Sequence, residues 1–365
     1  MGSYANAFGP HAPEATYVDH GQTEMLFDTG EVELNYVVAG DPASPPLLLI
    51  PGQTESWWGY AKAIPILADR FHVHAVDLRG QGRSTRTPGR YTLNLMGNDL
   101  VRFIDGVIGR SAFVSGLSSG GVLAAWLSAY AKPGQVLAAH YEDPPLFSSE
   151  LIPSVGQGVR QSIGPVFELF SRYLGDQWSV GDWDGLAEAM RVALPPPLQF
   201  AGSAFGGGDE PPQSLKEYDP EWARAFWTGT VCQGCRHDRM LSAVRVPVLF
   251  THHFHATDEA SGALLGATSD LQAARVRELV AGAGNAIEYV SLPAMGHAFH
   301  NQDPPLFCET LVSWIDSLSR LRSRPSPGSA RRKGHRSSEQ SGLLSPFRGV
   351  LGDVLPGHRG SSNVP

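Results

Sequence analysis

The feature that most constrains this chain is an apolar run that breaks into a glycine-bracketed serine and restarts as a helix. Ala112-Phe-Val-Ser-Gly-Leu117 reads as a buried strand, Gly116-Leu-Ser118-Ser119-Gly120 as a sharp turn, and Val122 to Tyr130 as a helix. Five residues of Gly-x-Ser-x-Gly alone are a weak signal; strand, turn and helix in that order are the setting a nucleophile elbow requires. The turn strains the serine backbone and lifts its Oγ clear of the sheet. Glycines at 116 and 120 let neighbouring backbone approach closely. Ser118 holds the third position of the motif and is the candidate nucleophile. Ser119 follows, where a backbone N–H points at a developing oxyanion, and its side chain reads as a small residue that lets the turn close.

A serine hydroxyl is a poor nucleophile at neutral pH, so the chain must also supply a base, an orienting acid and a second oxyanion donor. Leu47-Leu-Leu-Ile50 has a buried-strand pattern and breaks at Pro51-Gly52-Gln53-Thr54. By itself this is an ordinary Pro-Gly turn; beside Ser118 it is an oxyanion loop with Gln53 in the donor slot. Losing one such donor costs roughly a hundredfold or more in rate. Thirteen histidines compete for the base. The order nucleophile, acid, histidine selects His297, after the strand Ile287 to Leu292 and before the amphipathic helix Pro304 to Arg320. An unperturbed imidazole, with a pKa of about 6.5, suits the task. His300, three residues on, competes but better fits a flanking structural or substrate-contacting role.

The acid stays open among three residues. The strand Val136 to Tyr141 ends in Glu142-Asp143-Pro144-Pro145. Asp143 aligns if the connection Lys132 to Gln135 carries one extra residue, and Glu142 if it does not. Asp258, beyond Pro247-Val-Leu-Phe-Thr251, is the alternative, at the end of a longer loop than usual.

Strands alternate with helices through the first part of the chain, which implies an α/β fold with a mostly parallel central sheet covered on both faces. A hairpin (Leu26 to Ala39), a helix (Trp57 to Asp69), a strand (Phe71 to Val76) and a second helix (Leu95 to Ile108) lead into the elbow. Asp77-Leu-Arg-Gly-Gln-Gly-Arg-Ser84 reads as a scaffold turn. From 147 to 240 the alternation stops, and helical segments with Trp178, Trp183, Trp222, Phe226 and Trp227 read as a helical cap. Most of these aromatics should pack together, and one or two should face an uncharged, ring-containing ligand. The expected partition is an extension (1–20), a core (21–146 and 241–320), the cap (147–240) and a disordered basic tail (321–365).

The tail holds eight Lys/Arg against two acids; removing its +6 from the overall −8 leaves −14 on residues 1–320. An acidic body argues against nucleic acid as a partner. The basic tail is expected to be a solvated extension. No run of about 18 apolar residues suggests a membrane span, and the first twenty residues do not read as a signal peptide. Three cysteines give no disulfide framework, which suits a reducing cytoplasm, and the lone Cys232-x-x-Cys235 lacks the four ligands of a structural zinc. No nucleotide-binding glycine motif occurs. The expected partner is a small molecule; a homodimer is left open.

Taken together, these segments resemble the α/β-hydrolases, and among them the bacterial lactonases that open the macrolactone zearalenone. The resemblance runs through Gln53-Thr-Glu-Ser-Trp-Trp58, Val76 to Thr85, Gly97 to Ile104 and Ser118 to Ala131. It continues in the cap at Leu174 to Trp183 and Leu215-Lys-Glu-Tyr-Asp-Pro-Glu-Trp222, then at His237 to Leu241, Thr251-His-His253 and Ser269 to Ala273. It covers roughly residues 24–318. It implies the α/β-hydrolase fold with a helical cap, no cofactor and no metal, and opening of a resorcylic lactone through an acyl-enzyme. It implies Ser118 as nucleophile, His297 as base and a carboxylate at Glu142 or Asp143. Gly52, Trp183, Trp227 and His252 are the substrate-contacting candidates. Gly52 departs from the pattern, which has a bulkier residue there, and the Pro- and Gly-rich stretch near 195–212 is longer.

Overall fold

A computed structural model describes residues 17–194 and 211–323. Most of the extension, the centre of the Pro- and Gly-rich stretch and nearly all of the basic tail lie outside them. By its contacts the chain divides into residues 1–320 and 321–365, and the sheet and all site residues belong to the first.

Eight strands form one sheet: β1 (Met25–Asp28), β2 (Glu33–Ala39), β3 (Pro46–Ile50), β4 (His72–Val76), β5 (Ala112–Leu117), β6 (Val136–Glu142), β7 (Val248–His252) and β8 (Ile287–Ser291). Their order is β1-β2-β4-β3-β5-β6-β7-β8. β2 runs antiparallel to β1 and β4, and all other neighbours are parallel. The chain reverses direction across the sheet at β3, and ligands in open α/β sheets bind beyond the carboxyl ends of the strands at such a switch point.

The two-residue side-chain period of a strand explains how the sheet feeds two layers. On β3, Leu48 and Ile50 enter a core with α2 (Leu93–Phe103) and α3 (Ser119–Tyr130), while Leu47 and Leu49 enter another with Trp57, Tyr60, Phe307, Leu311 and Trp314. A strand wetted on neither face needs this uninterrupted apolar run. α3 is buried on all but one of its residues, because it lies between the sheet, α2 and the helical insertion.

The expected helix over Trp57 to Asp69 is instead two short pieces: a 3₁₀ turn at Trp57–Tyr60 and α1, Ile64–Ala68. Pro65 explains the break, since proline is tolerated only in a first turn and there starts a new helix. The helix expected over Leu95 to Ile108 starts earlier, where Thr92 caps the Leu95 N–H, and ends in a wider π turn at Ile104–Ile108, stopped by left-handed Gly109.

Between β6 and β7 the chain makes α4 (Gly164–Tyr173), α5 (Trp183–Ala193) and shorter helices at Gln213–Lys216, Glu221–Trp227 and His237–Ser242. Asp182 caps α5. Trp178, Trp222 and Phe226 are buried, and Trp222 Nε1 donates to the Arg79 carbonyl at 2.6 Å, tying this insertion to the scaffold turn after β4. Trp183 and Trp227 stay partly open. No helix among the described residues is long and apolar enough to cross a membrane.

Candidate active site

Ser118 sits at the junction of β5 and α3 with φ 53° and ψ −121°. A non-glycine residue at positive φ stores on the order of 1–3 kcal/mol that the surroundings must offset. Those surroundings are tight. A Cβ on Gly116 would lie 2.2 Å from the Gly120 carbonyl oxygen, and one on Gly120 would lie 2.4 Å from that of Ile50. The Ser118 N–H donates to the Glu142 carbonyl at 2.8 Å, pinning the turn to the end of β6. The Ser118 hydroxyl makes no capping bond to its own helix.

Three more groups arrive at the same sheet edge. Asp143 follows β6, also at positive φ (40°). Its Oδ2 accepts from His297 Nδ1 at 2.7 Å and its Oδ1 from the His253 N–H at 3.1 Å. His297 lies in the loop after β8, and its side chain is half exposed. Burial by itself would raise the Asp143 pKa, but the bond and charge of His297 outweigh it, and the pKa ends below the ordinary value. Burial likewise would lower the His297 pKa; the hydrogen bond and charge of Asp143 outweigh it and raise the pKa. Each partner stabilises the charged form of the other.

The loop after β3 closes the site. Gly52 lies against the nucleophile: a Cβ there would be 3.2 Å from Ser118 Cβ and from Leu117 Cδ2. Its carbonyl accepts from Gln81 Nε2 at 3.1 Å and its N–H donates to Glu55 at 3.3 Å. Thr54 is a third non-glycine residue at positive φ. The Gln53 and Ser119 backbone N–H groups have no acceptor among the described residues. An oxyanion site requires backbone donors left free in this way. The helical insertion grips this loop from above. Gln53 Nε2 donates to Tyr218 Oη, while Ser56 Oγ and Trp58 Nε1 donate to Glu217 Oε2 at 2.9 and 3.0 Å.

The remaining candidates fall elsewhere. Glu142 is fully buried and holds His300 through its backbone N–H at 3.0 Å and its Nδ1 at 2.9 Å. Asp258 is partly exposed and accepts from the Ser261 N–H and hydroxyl. His252 is buried with both ring nitrogens committed, Nε2 to the Thr268 carbonyl at 2.6 Å and Nδ1 to Tyr289 Oη at 2.9 Å. No ring nitrogen is left for a ligand. Trp183 begins α5, and the Trp227 ring carries the Arg160 guanidinium 4.4 Å above it.

Sequence reasoning did not assign roles to Glu55, His253, Glu217 or Tyr218. All four lie in segments that carry the resemblance, but the His253 backbone contact has no signature in residue type. His252, His255 and Asp270 bring potential metal-ligand atoms within 4.8 Å of one another. A cation taking one ring nitrogen from each histidine would have to displace either the Thr268 or the Tyr289 bond to His252, and either the His253 carbonyl or the Asp270 contact of His255.

The chain as a whole has relatives of known family. The profile of the alpha/beta hydrolase family matches residues 47–310. The chain belongs to the alpha/beta hydrolase family. This α/β-hydrolase is 40% identical over 88 residues to epoxide hydrolase A of Mycobacterium tuberculosis, covering 23% of this chain and 27% of that protein. It is 26% identical over 164 residues to mouse epoxide hydrolase 4 (44% and 45%), and 30% over 100 residues to 3-oxoadipate enol-lactonase 2 of Acinetobacter baylyi (27% and 37%). The matches thus span from about a quarter to under half of these relatives' lengths. In three dimensions the chain is similar to the enol-lactonase of Burkholderia xenovorans LB400, with a TM-score of 0.55 and 17% identity over 80% of this chain and 100% of that one. A hydrolase from Pseudomonas aeruginosa gives 0.54 and 21%, over 81% and 99%. At these identities the structural likeness concerns the fold.

Proposed function

We propose that this α/β-hydrolase is a serine carboxylic-ester hydrolase that opens macrocyclic resorcylic lactones of the zearalenone type. The observation that carries the reading is the 2.7 Å bond between Asp143 and His297, made at the strand end next to the one that bears Ser118. A half-exposed histidine fixed through Nδ1 presents Nε2 outward as a base.

In the proposed reaction His297 Nε2 takes the Ser118 proton and Oγ adds to the lactone carbonyl. The Gln53 and Ser119 N–H groups hold the resulting oxyanion. Collapse breaks the ring C–O bond, and His297 returns the proton to the departing alkoxide, which stays tethered through the acyl chain. Water, deprotonated by His297, then adds to the acyl-enzyme and releases the hydroxy acid with Ser118 restored. The resemblance implies that this acid then loses CO₂ without the enzyme.

The test is chromatography with mass detection of zearalenone incubated with the wild type and with Ser118→Ala. Ring-opened acid, or its decarboxylated product, is expected from the wild type alone; turnover by the variant would remove Ser118 from its role. The enol-lactonase similarity keeps a second reading alive, a general carboxylesterase, which would favour short p-nitrophenyl esters over the macrolactone. A protein that neither turns over these substrates nor forms a fluorophosphonate adduct would be a binding protein on a hydrolase fold.

A further inference from the structure

His300 is fully buried, yet it touches carboxylates on both sides. Nδ1 meets Glu142 Oε1 at 2.9 Å, and Nε2, which makes no hydrogen bond, lies 3.8 Å from Glu55 Oε1. Glu55 Oε2 in turn accepts the Gly52 N–H at 3.3 Å, one residue before the N–H proposed to hold the oxyanion. Tyr60 stacks on the His300 ring at 3.9 Å and donates its hydroxyl to the Ile50 carbonyl at 3.0 Å, where β3 gives way to the same loop. The loop is therefore fastened at Ile50 and Gly52 by groups that converge on one imidazole. Burial alone would lower the His300 pKa, but Glu142 and Glu55 outweigh it and raise it.

We propose that Glu142, His300 and Glu55 form a positioning chain, parallel to the Asp143–His297 pair, that sets the oxyanion loop against Ser118. None of the three touches the reacting atoms. Glu142 fixes the ring, the ring attracts the Glu55 carboxylate by charge across 3.8 Å, and the carboxylate takes up the Gly52 N–H so that the next peptide turns its N–H toward the nucleophile. The inference rests on the serine-hydrolase reading and deepens it. A misplacement on the scale of an ångström is enough to cost about a hundredfold in rate.

The experiment compares full-length wild type, Glu55→Ala and Glu55→Gln. It measures kcat and KM per reactive serine, counted with a fluorophosphonate, and affinity for an alkyl boronic acid against that for a non-covalent ground-state ligand. The boronic acid adds to Ser118 and carries a negatively charged oxygen in the oxyanion position; the ground-state ligand does not. Glu55→Ala is expected to lose about 10–100-fold in kcat with KM nearly unchanged, and a comparable factor in boronate affinity alone. Glu55→Gln keeps an acceptor for the Gly52 N–H and should recover part of both losses, and it serves as the readout if the alanine variant does not fold. Unchanged kcat and boronate affinity in these variants overturns the chain, as does an equal loss for both ligands, which marks a purely structural role. Absence of a serine adduct in the wild type overturns the hydrolase reading and the inference with it.

Discussion

Two carboxylate–histidine pairs stand side by side in this molecule, built from Glu142-Asp143 at one strand end and from His297, in the loop after β8, and His300, in the short helix Phe299–Gln302 that follows it. Glu142 closes β6 on the face that looks into the layer of Tyr60 and Phe307, and its partner His300 has no exposed surface. Asp143 lies one residue beyond the strand, its backbone turned to positive φ, and its partner His297 is half exposed. Neighbours in a strand point to opposite faces, so the same two residue types give an inward pair and an edge pair. The inward pair has no access to a substrate and can act only on what packs against it. The edge pair leaves the imidazole half exposed, as the proposed proton transfer requires. A carboxylate–histidine contact is thus not itself a sign of catalysis; exposure of the distal nitrogen separates the two cases.

The comparison breaks first if the edge pair proves dispensable. Asp143→Asn preserves the size of the side chain but can donate to His297, favouring the wrong tautomer. Such a change costs on the order of 10⁴ in kcat in a serine triad. The expected result is that loss with thermal stability close to wild type, read by steady-state kinetics and a melting curve. The pH profile sharpens the point. His297 must be neutral to act as base, and its pKa lies above the ordinary 6.5, so the acid limb of kcat should fall above that pH. Asp143→Asn removes the largest raising influence and leaves the weaker pull of Glu55 and Glu142 against burial, so whatever activity remains should have its acid limb at lower pH.

The inward pair should answer in stability as well as through the oxyanion loop it is proposed to position. Removing one partner of a buried ion pair costs about 3–5 kcal/mol because the other charge is left unpaired, whereas exchanging both for apolar residues is often far milder. Glu142→Ala should therefore lower the denaturation midpoint strongly, and Glu142→Leu combined with His300→Leu should lower it less. The sign with pH follows from the shifts. The Glu142 pKa is lowered: burial opposes this, but His300 outweighs it. Its contribution is present above about 4.3, the unfolded carboxyl value, and is lost as pH falls through the lower folded value. The His300 contribution is complete below about 6.5 and is lost as pH rises through its raised folded pKa. Urea melts at pH 4, 7 and 9 should show the pair strongest in the middle.

Much of this was legible in the sequence because it rests on local chemistry. The elbow declares itself by glycines that sterics demand, and the alternation of apolar strands with helices declares a parallel sheet. The choice among Glu142, Asp143 and Asp258 was not legible. It depends on where β6 ends relative to the sheet edge, and a shift of one residue exchanges the faces. The register is irregular between Ala112 and Phe113, where β5 opposes Val136 and then Ala138. That single skipped residue is what alignment by spacing had to guess. Roles at Glu55, Glu217 and Tyr218 depend on loop-to-insertion contacts more than 150 residues apart in sequence or across the sheet, for which one chain offers no pattern.

The smallest expected effect tests whether burial alone makes a polar group matter. Ser119 Oγ is as buried as the Glu142–His300 pair but has no hydrogen-bond partner. Its backbone N–H, not its hydroxyl, is the group the proposed mechanism uses. A buried donor without a partner keeps its desolvation cost of about 1–3 kcal/mol with nothing to offset it. Ser119→Ala removes that cost and leaves the N–H in place, so kcat should stay within about twofold and stability should hold or rise by roughly 1 kcal/mol. A melting curve with kinetics on the same sample decides it. A large fall in kcat would move the Ser119 hydroxyl into the reaction and redraw the oxyanion site around a side chain.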